Sequence, residues 1–232
     1  SFTSMNERLS RLEPLFKEAG IKAIEAARIV IVGLGGVGGP CAETLVRSGV
    51  KHLLIIDHDL VQPSNLNRQI LYTTDDIGKK KVACAYARFT AINPDIFMET
   101  STDFIDSISM QIFNQFKPDF IIDAIDYIPG KKALIAYGLT NGIPTITSLG
   151  MGNRINPTKV KIGMLSETKG DPLAKMLRHD LRQLGININR VPVVYSEEMP
   201  RVKARPVASY MAVTSTAGLL LANYIIDKII TR

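Results

Sequence analysis

Gly33-Leu34-Gly35-Gly36-Val37-Gly38 follows directly on the β-branched run Arg28-Ile29-Val30-Ile31-Val32, and this junction constrains the chain more than any other stretch. The run has the unbroken apolar character of a strand buried on both faces. Gly33, Gly35 and Gly38 stand in G-x-G-x-x-G spacing. From Gly36 to Ser48 the pattern predicts a helix with Val37, Cys41, Leu45 and Ser48 near one stripe and Gly49 as its stop. Strand, glycine turn and helix in that order aim backbone N–H groups and a positive helix end at an anion. A second apolar run, His52-Leu53-Leu54-Ile55-Ile56, ends at Asp57, 19 positions beyond Gly38. A carboxylate placed there can accept from ribose hydroxyls. These pieces alone define a Rossmann-like nucleotide binder, which nicotinamide and flavin enzymes share.

The next stretch argues against hydride transfer. A polar loop from His58 leads into Asn65-Leu66-Asn67-Arg68-Gln69, and Lys81 follows on a helix predicted over 78–92, ending before Pro94. A nicotinamide ring wants an apolar slot, whereas a site that stabilises negative charge on a phosphorus wants a guanidinium and an ammonium. Lys79 and Lys80 read as solvated charges, although the residues by themselves do not choose among the three lysines. Asp123-Ala124-Ile125-Asp126 closes the set at the carboxyl end of a predicted strand, where sheets of this kind bind ligands. Asp123, at the strand end itself, reads as a structural cap.

Beyond these motifs the chain keeps alternating. Strands are predicted at 96–100, 120–123 and 144–148 and helices at 106–116 and 130–141. A strand at 159–165, a helix at 171–184 and a strand at 192–195 follow, then a helix from about 216 to 230. The expected fold class is α/β, a Rossmann-like, largely parallel sheet with helices on both faces, extended by mixed strands in the C-terminal part. The expected division is an N-terminal helical arm (1–27), a Rossmann-like nucleotide-binding part (28–150) and a C-terminal extension with a substrate loop and final helix (151–232).

Taken together, the glycines at 33, 35, 36 and 38, Asp57, Asn65, Arg68, Gln69, Lys81 and Asp126 resemble the ubiquitin-activating-enzyme-like adenylyltransferases over nearly the whole chain. That group includes the activators of the sulfur carriers of thiamin and molybdopterin synthesis. The resemblance implies that the glycines and Asp57 hold ATP, that Asn65, Arg68 and Lys81 contact its phosphates beside Gln69, and that Asp126 holds Mg²⁺. It also implies that an Arg of the opening segment Glu7-Arg8-Leu9-Ser10-Arg11-Leu12-Glu13 reaches the partner subunit's ATP site, which requires a homodimer. Arg11 is the better match and Arg8 the reserve; the bland alternative is a pair of solvated arginines beside Glu7 and Glu13. Within the group, the stretches at 120–126, 132–137, 171–175 and 191–197 resemble the tRNA threonylcarbamoyladenosine dehydratases. That family uses ATP to activate the substrate's carboxylate beside the tRNA anticodon and closes it into a ring with loss of water. A tRNA substrate and a sulfur-transfer partner protein are the partners this implies.

Two other readings stay open: adenylation of the C-terminal glycine of a ubiquitin-like sulfur carrier, and a nucleotide-binding module or nicotinamide enzyme. The cysteines bear on the first of them. Only Cys41 and Cys84 are present, so the four-cysteine zinc site of many sulfur-carrier activators cannot be built. A formal charge of +6 suits a polyanionic partner without identifying one. Arg201, Lys203 and Arg205 predict a substrate-side loop, and Arg178, Arg182 and Arg190 are either further phosphate contacts or a solvated face. The uncharged stretch from Val207 to Ile226 is long enough to span a bilayer, but its Ser, Thr and Asn residues favour a buried core helix over membrane insertion. No secretory signal is visible, a cytoplasmic location is expected, and Ser1-Phe2-Thr3-Ser4 ahead of Met5 reads as a cloning remnant.

Overall fold

The computed structural model describes residues 4–106 and 109–231. Most of the stretch read as a cloning remnant, 1–3, lies outside the described residues, as do 107–108 of the helix expected over 106–116.

Seven strands form one sheet: β1 (Arg28–Val32), β2 (His52–Ile56), β3 (Phe97–Ser101), β4 (Phe120–Asp123), β5 (Thr145–Ser148), β6 (Val160–Met164) and β7 (Pro192–Ser196). Their order is β3-β2-β1-β4-β5-β7-β6. Every pair is parallel except β6 with β7, where Val160 lies opposite Ser196 and Met164 opposite Pro192. The strand order reverses between β1 and β4, and the crevice at such a switch point is where open α/β sheets take their ligands.

Alternation along β1 assigns its two faces. Ile29 and Ile31 join one core with Ile24 of α1 (Glu13–Ala26), Cys41 and Leu45 of α2 (Gly38–Arg47), Phe89 of α3 (Lys81–Ile92) and Leu221 and Ile225 of α7 (Met211–Ile230). Val30 and Val32 join the other with Phe113 and Phe116 of α4 (Gln111–Phe116) and Leu134 of α5 (Ile128–Asn141). A third cluster packs Ile135 of α5 against Leu177 and Leu181 of α6 (Pro172–Gln183) beside Val193 of β7. The expected fold class, including the mixed strands of the C-terminal part, is the one observed.

Three helices begin later or earlier than the pattern predicts, for local reasons. The helix expected from Gly78 starts at Lys81, because Leu60 and Lys80 form an antiparallel bridge and Val61 N donates to Lys79 O at 2.8 Å. Residues held extended cannot also open a helix. The helix expected from Asp106 starts at Gln111, behind a turn in which Asp106 N donates to Ser109 Oγ and Ser109 N to Asp106 Oδ1. The last helix begins at Met211 rather than about Thr216: its polar residues sit inside the first turns, where Thr214 and Thr216 turn their hydroxyls back onto helix carbonyls, Thr216 at 2.6 Å from Ala212 O, and so do not mark a boundary. α7 is long and apolar enough to cross a membrane by length and composition. One face of it, from Val213 to Ile229, is buried in the core. Gly218 lies so close to α2 that a Cβ there would stand 3.1 Å from Cys41 N.

Gly33 and Gly38 are demanded by the turn itself. Gly33 has φ +98° and would bring a Cβ to 2.5 Å from Ala124 O, and a Cβ on Gly38 would fall 2.6 Å from Gly33 C. Gly38→Ala should therefore destabilise the fold by roughly 1–3 kcal/mol, the usual cost of forcing an extra methyl into filled space. A urea titration reads that cost, and an unchanged midpoint would show that the turn has room.

Candidate functional site

A cavity of about 510 Å³ opens over the carboxyl ends of β1, β2, β4 and β5, a volume within the usual range of ligand sites. One half is walled by the glycine turn, by Asp57, His58 and Asp59 after β2, by Asn65, Arg68, Gln69 and Lys81, and by the 124–127 turn after β4. The other half is walled by Lys131, by the 148–152 segment after β5, and by Leu173, Val207, Ser209 and Thr214.

The turn opens α2, whose first amides lack partners within the helix. Asp57 is fixed by two backbone donors, Leu34 N at 2.7 Å on one oxygen and Asp59 N at 2.8 Å on the other. Each oxygen keeps lone-pair capacity for a further hydroxyl.

Segment 65–72 lies directly over the turn. Gln69 Nε2 stands 3.6 Å from where a Gly35 Cβ would be, Arg68 Cγ 3.3 Å from that of Gly36, and Tyr72 Oη donates to Leu34 O at 2.7 Å. Asn65 is buried with its Oδ1 accepting from Gln62 N, and the buried Gln69 Oε1 has no partner. Arg68 Nη1 donates to Ser64 O and to Asn67 Oδ1, both at 2.9 Å, and no acid pairs with it among the described residues. Asn67 in turn donates to Ser209 O, which ties this segment to the lead-in of α7.

Of the three consecutive lysines, 79 and 80 are exposed and Lys81 is only 5% exposed. The bridge at Lys80 turns Lys81 inward at the first position of α3. Its one ion pair, to Asp59 Oδ2, is long at 3.8 Å, and its ammonium stands 5.9 Å above the Tyr72 ring. A desolvated cation held this loosely is available to an incoming anion.

Asp126 is exposed on the cavity wall, and its side chain makes no bond among the described residues. Asp123, three residues earlier at the end of β4, is fully buried. Its Oδ1 accepts from Ile125 N at 3.1 Å, the structural cap expected from the sequence, and from Lys131 Nζ at 3.2 Å. Lys131 Nζ also donates to Ser148 O at 2.7 Å, so one ammonium joins the ends of β4 and β5 at the cavity floor. Burial pushes the Asp123 carboxyl above its ordinary value, with the Lys131 charge opposing.

Lys131 was not legible as a site residue. In the sequence it is half of a Lys-Lys doublet on a helix, which reads as solvent-facing charge. Also missed was an aromatic group at the β2 and β4 ends: Phe104 stacks on Tyr127 at 4.4 Å, and His58 meets Phe104 edge-on at 5.1 Å. Tyr127 Oη exchanges 3.1 Å hydrogen bonds with Ile105 N and O, and burial pushes its hydroxyl up to about 12.

The structure thus brings Gly33, Gly35, Gly36, Asp57, Asn65, Arg68, Gln69, Lys81 and Asp126 to one cavity, with Gly38 just behind its wall. It does not bring the N-terminal arginines there. Arg8 and Arg11 are exposed, line no part of the cavity, and pair with neither Glu7 nor Glu13. Cys41 and Cys84 are both buried, and burial pushes both thiols up, which leaves neither as a ready thiolate.

The ThiF family model matches residues 8–231. The tRNA threonylcarbamoyladenosine dehydratase of Bacillus subtilis (strain 168) is 33% identical over 240 residues, covering 96% of this chain and 94% of that protein. The crystal structure of the E. coli tRNA N6-threonylcarbamoyladenosine dehydratase in complex with ATP superposes with a TM-score of 0.92 at 32% identity, covering 97% of this chain and 95% of that one. The sulfur carrier protein ThiS adenylyltransferase of Bacillus subtilis is 36% identical over 155 residues, which is 64% of this chain and 45% of that protein.

Proposed function

The chain belongs to the ThiF family, and from that premise we propose that it is an ATP-dependent enzyme that dehydrates threonylcarbamoyladenosine in tRNA. The similarity to dehydratases covers 94–97% of each chain, and so takes in the C-terminal third that helps to wall the second half of the cavity. That coverage carries the reading. The sulfur-carrier adenylyltransferase match stops short of it, and the two buried cysteines offer no zinc set.

In this reading ATP lies across the switch point. Its ribose hydroxyls reach Asp57, its phosphates face the α2 amides, and Asn65, Arg68 and Lys81 surround them with Gln69 against the turn. A carboxylate oxygen of the substrate attacks the α-phosphorus, the bond to pyrophosphate breaks, and a mixed anhydride with AMP forms. Anion approaches anion in that step, so donors that strengthen as charge builds on phosphorus lower the barrier. No base is needed, because the carboxylate is already ionised at neutral pH. An internal nucleophile then closes the ring and one carboxylate oxygen departs with AMP, which balances the loss of one water. Tethering makes this closure unimolecular.

Asp126 fits a Mg²⁺ ion. It is exposed to the cavity and unbonded, and Mg²⁺ characteristically takes one or two carboxylates together with substrate phosphates and water. When bound, such an ion supplies neutralising charge at the phosphate oxygens.

Because Arg11 lies outside its own cavity, its use requires a second copy, and a homodimer in the cytoplasm is the proposed working form. The test is direct. Incubation with ATP, Mg²⁺ and tRNA bearing threonylcarbamoyladenosine should lower the mass of that nucleoside by one water. Unchanged nucleoside, with pyrophosphate release driven by a sulfur-carrier protein instead, would move the chain to the other branch of its family.

A further inference from the structure

The positive charge of the chain is placed unevenly. Residues 151–232 hold 13 Lys and Arg against 6 Asp and Glu, whereas residues 1–150 hold 15 against 16. All the net charge therefore sits in the stretch that walls the second half of the cavity.

Packing further concentrates it at the mouth. A Cβ on Gly170 would collide with Met199, which places the lead-in of α6 against the start of the 197–210 loop. Gly152 meets Val207 in the same way at the other end of that loop. Asn153, at φ +61°, holds both: its carbonyl accepts from Arg201 N at 2.7 Å, its amide donates to Ala208 O at 2.8 Å, and its Oδ1 accepts from Ala208 N at 2.9 Å.

The acids of this region are engaged. Glu198 is buried, accepting from Ile155 N, Asn156 N and Arg201 Nε; Glu197 pairs with Lys161; Asp171 caps α6. Four cations are left in the segments that carry the cavity-lining Leu173 and Val207: Lys169 and Lys175 on either side of Leu173, Lys203 and Arg205 ahead of Val207. All four are exposed, and none forms an ion pair among the described residues. Exposed Met176, Met199 and Val207 belong to the same two segments, and Tyr210, half exposed, follows the cavity-lining Ser209.

We infer that Lys169, Lys175, Lys203 and Arg205 form a cationic rim that grips the phosphates of a single-stranded RNA loop whose modified base enters the cavity between them. This rests on the functional reading above and adds the surface that holds the RNA. Unpaired cations flanking a cavity answer a backbone that runs past it on both sides. Apolar and aromatic side chains between them match bases splayed out of a stack. The two halves of the rim lie on different elements that pack together at Gly170 and Met199, so both can engage the same loop.

The experiment measures binding of threonylcarbamoyladenosine-bearing tRNA to the full chain as a function of salt. The variant is Lys169→Gln, Lys175→Gln, Lys203→Gln and Arg205→Gln combined. A control removes four charges elsewhere: Lys17→Gln, Lys22→Gln, Arg47→Gln and Lys117→Gln. Four lost contacts should lower the slope of log affinity against log salt by about 3, at roughly 0.7 per phosphate on a single strand. Affinity near physiological salt should fall between tenfold and a hundredfold, with the ATP affinity kept and the control like wild type. Equal slopes for variant and control, or no tRNA binding by the unmodified chain, overturn the rim. Binding needs no turnover, so a lost slope in a chain that dehydrates nothing would sink the functional reading while leaving the rim in place.

Discussion

Lys81→Ala should lose ATP–pyrophosphate exchange almost completely, falling by about 10²–10³-fold, equivalent to about 3–4 kcal/mol of transition-state stabilisation. The size of the effect follows from where the ammonium sits. At 5% exposure it has already left most of its water, and its single partner Asp59 stands at 3.8 Å. The phosphate that replaces those losses meets a cation at low local dielectric, where the charge developing in the transition state is worth most. Lys80→Ala is the matched control, since its side chain is exposed and its place in the bridge is made by the backbone. Equal exchange in the two variants would remove Lys81 from the phosphate site. A fall in Lys81→Ala through KM for ATP alone would make it a ground-state contact instead.

Lys131→Met should cost the fold about 3–5 kcal/mol, because it strands the fully buried Asp123 carboxylate without its cation. The loss has a pH signature whose sign is fixed. Burial already holds the folded-state pKa of Asp123 above its ordinary value of 3.8, and removing Lys131 takes away the opposing charge. A carboxyl raised in the folded state is tolerated while it carries its proton. Its burial is penalised once the pH rises above the unfolded value and through the raised folded one. The variant should therefore lose stability relative to wild type as pH climbs from acid toward neutral. Adding Asp123→Asn should restore much of it and flatten the dependence. Urea titrations across that range test both statements, and a pH-independent deficit would mean that Lys131 acts by packing alone. The double variant also isolates function: if it folds but exchanges pyrophosphate slowly, the tie between the ends of β4 and β5 sets the geometry of the cavity floor.

The contrast between these two lysines shows what a single sequence discloses. Lys81 could be reached because the residues that share its job come from short stretches whose order and type are distinctive. Even so, only the extended bridge at Lys80 explains why it, rather than Lys79 or Lys80, faces inward. Lys131 bonds a strand residue eight positions earlier and a carbonyl on a strand that follows, a pairing with no local signature. The parallel strands were legible because both faces of β1, β2 and β4 are covered, which leaves continuous apolar runs. Helix starts at 81 and 111 were not, since each is decided by a hydrogen bond that competes with the helix rather than by propensity, and the start at 211 was missed because Thr214 and Thr216 satisfy their hydroxyls on carbonyls within the helix. Phe104 and Tyr127 stack across 23 residues of sequence, beyond any periodicity that could reveal them.

Asn153 gathers both ends of the 197–210 loop onto one residue, while the glycine turn takes its shape from β4, segment 65–72 and α7. The entrance is consequently a detachable module. A foreign sequence spliced between Arg201 and Ala208 would change the entrance, Val207 of the cavity wall included, while leaving the glycine turn and segment 65–72 untouched, and swapping such inserts is the natural route to retargeting this scaffold toward other acids.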